Sequence, residues 1–233
     1  MRGPLHEELG KPNEDAWLHA KNSTGRLIVI SDGMGSRPNS RIGSRAACIA
    51  VQRAVREWTR KPGASPKYLV HLVEALWRLE IHPEKPETAA CTCLLAHASV
   101  SGVWTLAAIG DGTIIIRTGN KLDWVYEDSS TGFSNETEAL GLSSRLDSWT
   151  IKELPPTGLD RTGLLATDGI SEDIRPGTRA QLVDFMIQNY MPLDPNHRWR
   201  KLSRDLRAWP TPRHLDDKTM AVIHSPQRNI GGK

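Results

Sequence analysis

The sequence predicts an α+β fold in which mostly antiparallel sheets are sandwiched between helix layers. Helical periodicity is confined to regions before and after the middle of the chain. Strand-like segments crowd that middle and follow one another through tight turns, without the alternation of βαβ units.

Taken in order, Leu27 to Ser31 is a short apolar run of β type that ends in a glycine-rich turn. Ser40 to Trp58 reads as a helix, with Ala47, Val51, Ala54, Val55 and Trp58 on one face and Arg41, Arg45, Arg53 and Arg56 free to face water. Pro62 and Gly63 end it, and a second helix spans Pro66 to Glu80. The period then changes. Ala89 to Ala98, Val103 to Ile109 and Thr113 to Thr118 read as consecutive strands joined by Ser101-Gly102 and Gly110-Asp111-Gly112. Gly163 to Thr167 is another strand of buried type. Helices at Thr178 to Gln188 and His197 to Trp209 follow, and Lys218 to His224 closes the chain as a strand. Residues 1–225 are expected to form one domain, with 226–233 a flexible tail.

The bulk properties exclude several classes. A chain of 233 residues with 38% hydrophobic and 24% charged residues suits one soluble globular domain. Its net charge of +3, from 30 basic and 27 acidic residues, is too small to imply a nucleic-acid partner. No stretch approaches the roughly 18 apolar residues of a membrane span, and Met1 to Asn13 lacks the apolar run of a signal peptide. Cys48, Cys91 and Cys93 cannot all pair within the chain, and reduced thiols in a cytoplasmic protein are the simplest reading. Cys91 and Cys93 share a strand face, which favours core packing. The eight Trp are scattered and are expected in the core.

The chemistry lies in the carboxylates. Asp32 ends a strand, Asp111 sits between two strands, Asp168 ends another, and Asp216 and Asp217 precede one. Asn13-Glu14-Asp15 precedes the first strand-like segment. A carboxylate beside glycine at a strand end is open to a ligand yet held by a rigid sheet. Oxygen ligands without accompanying His or Cys suit Mg²⁺ or Mn²⁺. Any one Asp-Gly by itself is a turn dipeptide. Their recurrence at strand ends is what points to a site.

The ordered set Asn13-Glu14-Asp15, Asp32-Gly33-Met34-Gly35, Gly110-Asp111-Gly112, Thr167-Asp168-Gly169 and Asp216-Asp217-Lys218-Thr219 resembles the metal-dependent type 2C serine/threonine protein phosphatases. His6, the run Gly10 to Ala16, and Asn135-Glu136-Thr137 are similar to a bacterial subgroup. The resemblance runs from Gly3 to Ile223. It implies two β-sheets flanked by helices, with two Mn²⁺ or Mg²⁺ ions at one end of the sandwich. Asp32 would bridge the ions, assisted by the Gly33 carbonyl. Asp168 and Asp216 would hold one ion, with Asp217 the adjacent alternative, and Glu14 and Asp15 the other. Asp111, with Glu172 or Asp173, is where bacterial relatives can hold a third. Two such ions about 4 Å apart acidify a bridging water, which attacks phosphorus in line with the leaving oxygen. No cysteine has the Cys-x5-Arg spacing of thiol phosphatases. The partners implied are a phosphorylated protein and its cognate Ser/Thr kinase.

The sequence also departs from the family pattern. Gly10 stands where many members carry the arginine that grips the substrate phosphate, which leaves Lys11 or Arg2 as the nearby cations, without a bidentate fork in the case of Lys11. Met34 stands where animal relatives carry a proton-donating His. His6 could approach the site and take part in substrate binding, although a lone His is more often a structural hydrogen-bonding residue. Asn135-Glu136-Thr137 either faces substrate or caps a short helix. The Arg-rich helix is a solvated face that could guide an acidic phosphopeptide. The alternative to an active phosphatase is a weak or inactive relative that binds a phosphoprotein or kinase.

Overall fold

Apolar runs in the middle of the chain build strands that are buried on both faces, and these form the centre of two stacked sheets. The computed structural model describes residues 1–127, 138–142, 146–210 and 215–227. Asn135, Glu136, Thr137 and most of the expected tail lie outside the described residues.

The chain begins with α1 (Pro4–Glu8), β1 (Ala16–Asn22), β2 (Gly25–Ser31), α2 (Ser40–Thr59) and α3 (Pro66–Glu80). Strands β3 (Cys93–Ser99), β4 (Trp104–Ile109), β5 (Thr113–Thr118), β6 (Lys121–Glu127), β7 (Thr150–Leu154) and β8 (Arg161–Ala166) follow. It continues through α4 (Asp168–Ser171), α5 (Arg179–Tyr190), α6 (Pro195–Arg207) and β9 (Met220–Ser225). One antiparallel sheet has the order β1-β2-β3-β4-β7 and the other β6-β5-β8-β9.

Three apolar layers separate the elements. Alternate residues of β2 and β3 (Leu27, Val29, Cys93, Leu95) pack under Val51, Val55, Leu69, Val73 and Trp77 of α2 and α3. Their neighbours Ile28, Ile30, Leu94 and Ala96 face Ile114, Ile116, Leu165 and Ile223 of the second sheet. Ile115 and Leu164 pack outward against Val183, Met186 and Leu206 of α5 and α6. The period-2 alternation of the strands thus feeds two cores at once, and the order of layers is helix, sheet, sheet, helix.

Local signals set the helix ends. Ser65 Oγ accepts from Tyr68 N at 3.4 Å ahead of Pro66, and Asp194 Oδ1 accepts from Asn196 N at 3.1 Å and His197 N at 3.2 Å ahead of Pro195. Cys48, Cys91 and Cys93 are buried free thiols in one core cluster. Not every Trp is in the core. Trp17 and Trp199 are 50% and 55% exposed, and their rings meet at 5.6 Å between β1 and α6. Among the described residues, no helix is long and apolar enough to cross a membrane.

Candidate metal centre

Strand register gathers the acidic residues at one end of the sandwich. Ala16 pairs with Ser31, so Asp15 and Asp32, the next residues outward, emerge side by side. Ala166 pairs with both Thr113 and Met220, which brings Asp111, Asp168 and the Asp216-Asp217 segment to the same end. The two halves are joined by Thr167, whose hydroxyl donates to Asp15 Oδ2 at 3.0 Å.

Hydroxyls and main-chain groups fix the backbone from which these carboxylates project. Ser31 Oγ donates to Thr92 O at 2.5 Å, Thr92 Oγ1 accepts from Asp32 N at 2.9 Å, and Thr92 N donates to Asp32 O at 2.8 Å. Met34 N donates to Ala90 O at 3.1 Å, so the turn after Asp32 is tied to the segment before β3. Gly33 must be glycine, because a Cβ there would meet the Ser40 carbonyl. Ser44 Oγ donates to Glu14 O at 2.5 Å, and Asp15 N donates to Asn13 Oδ1 at 2.8 Å. Gly169 follows Asp168 for a similar reason, since a side chain there would collide with Asp217 O.

The electrostatics are those of crowded carboxylates. Burial pushes Asp32 well above the usual carboxylate range, and the negative charges of Asp15, Asp168 and Asp216 push it further. Burial likewise raises Asp15 to about 7, opposed by hydrogen bonds from Thr219, Asp32 and Thr167. Glu14 Oε2 and Asp15 Oδ1 are buried without a hydrogen-bond partner. Buried acceptors left unpaired are costly. A divalent cation would satisfy these oxygens and offset the mutual repulsion, and an all-oxygen donor set fits Mg²⁺ or Mn²⁺. The residues present therefore fit a hard metal ion.

The two aspartates preceding β9 have different surroundings. Asp216 is partly exposed, and its Oδ1 accepts from Asp217 N at 2.7 Å. Asp217 is 1% exposed and accepts from Gly3 N at 2.7 Å, while its other oxygen accepts from Glu14 N at 2.6 Å and contacts His6 Nδ1 at 2.9 Å. His6 is thus buried against Asp217, and Lys11 is exposed. Nothing lies within 4 Å of a Cβ built on Gly10, whose φ is +65°. Arg2 lies nearby, with Nη1 donating to Lys11 O at 3.4 Å. Asp111 is partly exposed in its turn, Glu172 is exposed, and Asp173 Oδ2 accepts from Trp209 Nε1 at 3.0 Å. A cleft of about 290 Å³ opens beside Gly110, bordered by Trp124, Glu127, Glu138 and Thr150.

Sequence reasoning did not single out the hydroxyls. Thr167 and Thr219 were visible beside the acidic motifs, whereas Thr92 and Ser44 carry no local signal because their partners are remote in sequence. Lys218, a buried cation whose Nζ donates to Asp216 O at 3.3 Å, was also missed.

A family model described as Protein phosphatase 2C matches residues 2–209. Among solved structures, a bacterial serine phosphatase is similar at a TM-score of 0.70 and 14% identity, covering 94% of each chain. PppA of Pseudomonas aeruginosa, described as a key regulatory component of T6SS, is similar at 0.60 and 20% identity, covering 92% of this chain and 91% of its own. RsbX, solved in complex with magnesium, matches at 0.54 and 12% identity, covering 91% of this chain and 87% of its own. Among curated proteins, none matches by sequence.

Proposed function

Because this chain belongs to the protein phosphatase 2C family, whose model spans residues 2–209, we propose that it is a metal-dependent phosphatase of phosphoserine and phosphothreonine in proteins. The observation that carries this reading is the convergence on Asp32 of the charges of Asp15, Asp168 and Asp216 beside the unpaired oxygens of Glu14 and Asp15. Such a cluster is unfavourable without a cation and well matched to two.

Asp32, central to the cluster, would bridge two Mn²⁺ or Mg²⁺ ions, with the Gly33 carbonyl beside it. Asp168 and Asp216 would hold one ion, and Glu14 and Asp15 the other. Asp111, with Glu172 or Asp173, would hold a third. Asp216 is preferred over Asp217 as ligand because both oxygens of Asp217 are engaged by the chain. The bound ions supply Lewis acidity toward the phosphoryl group and acidify water. The protein's own contribution is a rigid, anionic cradle at the sandwich end. Lys11 or Arg2 would meet the substrate phosphate in the absence of an arginine at Gly10. The partner is a phosphorylated protein with its cognate Ser/Thr kinase. Residues 1–225 act as one domain, and the buried free thiols fit a reducing, cytoplasmic setting.

The test is turnover of para-nitrophenyl phosphate and of a phosphothreonine peptide with Mn²⁺, with Mg²⁺ and with chelator, beside Asp32→Ala. Metal-dependent turnover lost in the variant is expected. Equal, metal-independent background in both proteins would overturn the reading. Metal-dependent binding of the phosphopeptide without turnover would assign the chain instead to phosphoprotein recognition.

A further inference from the structure

We infer that His6 and Asp217 form a clamp that positions the two sides of the metal centre without ligating an ion. The inference rests on the metal-site reading above and concerns residues outside the proposed ligand set. Donor atoms of His6, Asp216 and Asp217 lie within 4.8 Å of one another, a spacing that by itself suggests an ion site. The hydrogen bonds say otherwise. Asp217 Oδ1 takes Gly3 N, and Oδ2 takes Glu14 N and faces His6 Nδ1, all at 2.6–2.9 Å with the carboxylate 1% exposed. An ion there would have to displace these contacts, and each displaced donor would be left buried and unpaired.

What the contacts do is mechanical. Asp217 is the covalent neighbour of Asp216, and it grips the main chain of Glu14 from across 203 residues of sequence. Glu14 is held from the other side by Ser44 Oγ on its carbonyl. Its main chain is therefore fixed at both polar groups, while Oε2 is left without a partner. The short helix α1 carries His6 to Asp217. It starts at Pro4 and rests on Gly3, where a side chain would collide with the Asp216 carbonyl. Asp217 thus ties the Glu14 side of the centre to the Asp216 side, and His6 fixes the orientation of the Asp217 carboxylate. Outer partners that orient ligands in this way change metal affinity by about 10–100-fold when removed.

The experiment is a calorimetric Mn²⁺ titration of the full chain, with thermal melts in chelator, for the unsubstituted protein, Asp217→Asn, His6→Gln and Asp32→Ala. Asn at 217 offers one acceptor oxygen where two are used, and its NH₂ opposes a main-chain N–H. Asp217→Asn should weaken Mn²⁺ binding about tenfold or more, with His6→Gln weakened in the same direction. If Asp217→Asn fails to fold, His6→Gln carries the test. Unchanged affinity in the folded clamp variants, even with lower melting temperatures, would reduce the pair to a stability element and overturn the inference alone. Loss in His6→Gln as complete as in Asp32→Ala would make His6 a ligand and also overturn it. Absence of Mn²⁺ binding by the unsubstituted protein would overturn both the inference and the site reading.

Discussion

Thr167 donates its hydroxyl to Asp15 Oδ2 at 3.0 Å, tying the loop after β8 to the residue just before β1 in the other sheet. Thr167 Oγ1 in turn accepts from Thr219 N at 3.1 Å, so one fully buried hydroxyl serves both sheets at the acidic end. Thr167→Val keeps the shape and removes both bonds. It takes one donor from Asp15 Oδ2 and leaves the Thr219 N–H buried and unpaired, which should cost about 1–3 kcal/mol in urea unfolding of the metal-free protein. A loss within the error of the measurement would show that water or a rearranged neighbour replaces the hydroxyl.

The layered fold was legible because its central strands bury both faces. β3, β4, β5 and β8 read as apolar runs, and α2 and α3 carry clear helical stripes. The strands that escaped the sequence reading, β1, β6 and β7, all lie at sheet edges. Their burial is partial, with Trp17, His19 and Lys21 exposed in β1 and Lys121, Leu122 and Asp123 exposed in β6, so hydrophobic periodicity is weak there. At the site, the acidic motifs were legible as strand-end turns and their order as a family pattern. The different surroundings of Asp216 and Asp217 were not legible, because Gly3, His6 and Glu14, which engage Asp217, arrive from the far end of the sequence.

His97 makes acid a destabilising condition. It is 2% exposed on β3, its ring meets Trp58 edge-on at 5.8 Å, and neither nitrogen has a hydrogen-bond partner. Burial holds its pKa down at about 4, against an ordinary 6.5. Between those values the unfolded chain binds a proton that the folded chain does not, so stability falls as pH drops. The contribution is fully present above about pH 6.5 and its loss approaches about 3 kcal/mol below pH 4. His97→Leu should flatten this part of the stability profile relative to the unsubstituted protein. Parallel profiles from pH 7 to pH 4 would show that His97 is protonated in place.

Gly43 lies inside α2, where alanine would ordinarily stabilise by about 1 kcal/mol. Here the helix rests on the segment before β3, and a Cβ at 43 would strike the Ala89 carbonyl. The Gly43 carbonyl also accepts from Trp77 Nε1 at 3.0 Å. Backbone meets backbone, so no rotamer change can relieve the contact, and overpacking of this kind costs about 1–3 kcal/mol or more. Gly43→Ala should therefore lower the melting temperature despite its better propensity. Gly177→Ala, with nothing near its Cβ, serves as the control and should stay within about 0.5 kcal/mol. A Gly43→Ala protein as stable as the control would mean that α2 can shift away from Ala89 freely.

Asp32→Asn separates the stability of the metal-free fold from its capacity to hold an ion. In the metal-free protein the Asp32 carboxylate sits among Asp15, Asp168 and Asp216, and burial opposes its charge. Asn removes that charge at nearly constant volume. The metal-free variant should melt higher than the unsubstituted protein near pH 8, where repulsion is greatest, and the gap should narrow toward pH 5 as the cluster takes up protons. Added Mn²⁺ should reverse the ranking. At a free concentration of 100 Kd an ion bound only to the folded state stabilises by about 2.7 kcal/mol, and this gain should be present in the unsubstituted protein and absent from Asp32→Asn. A variant that melts lower without metal, or that gains as much from Mn²⁺, would show that Asp32 is not the centre on which the carboxylates converge.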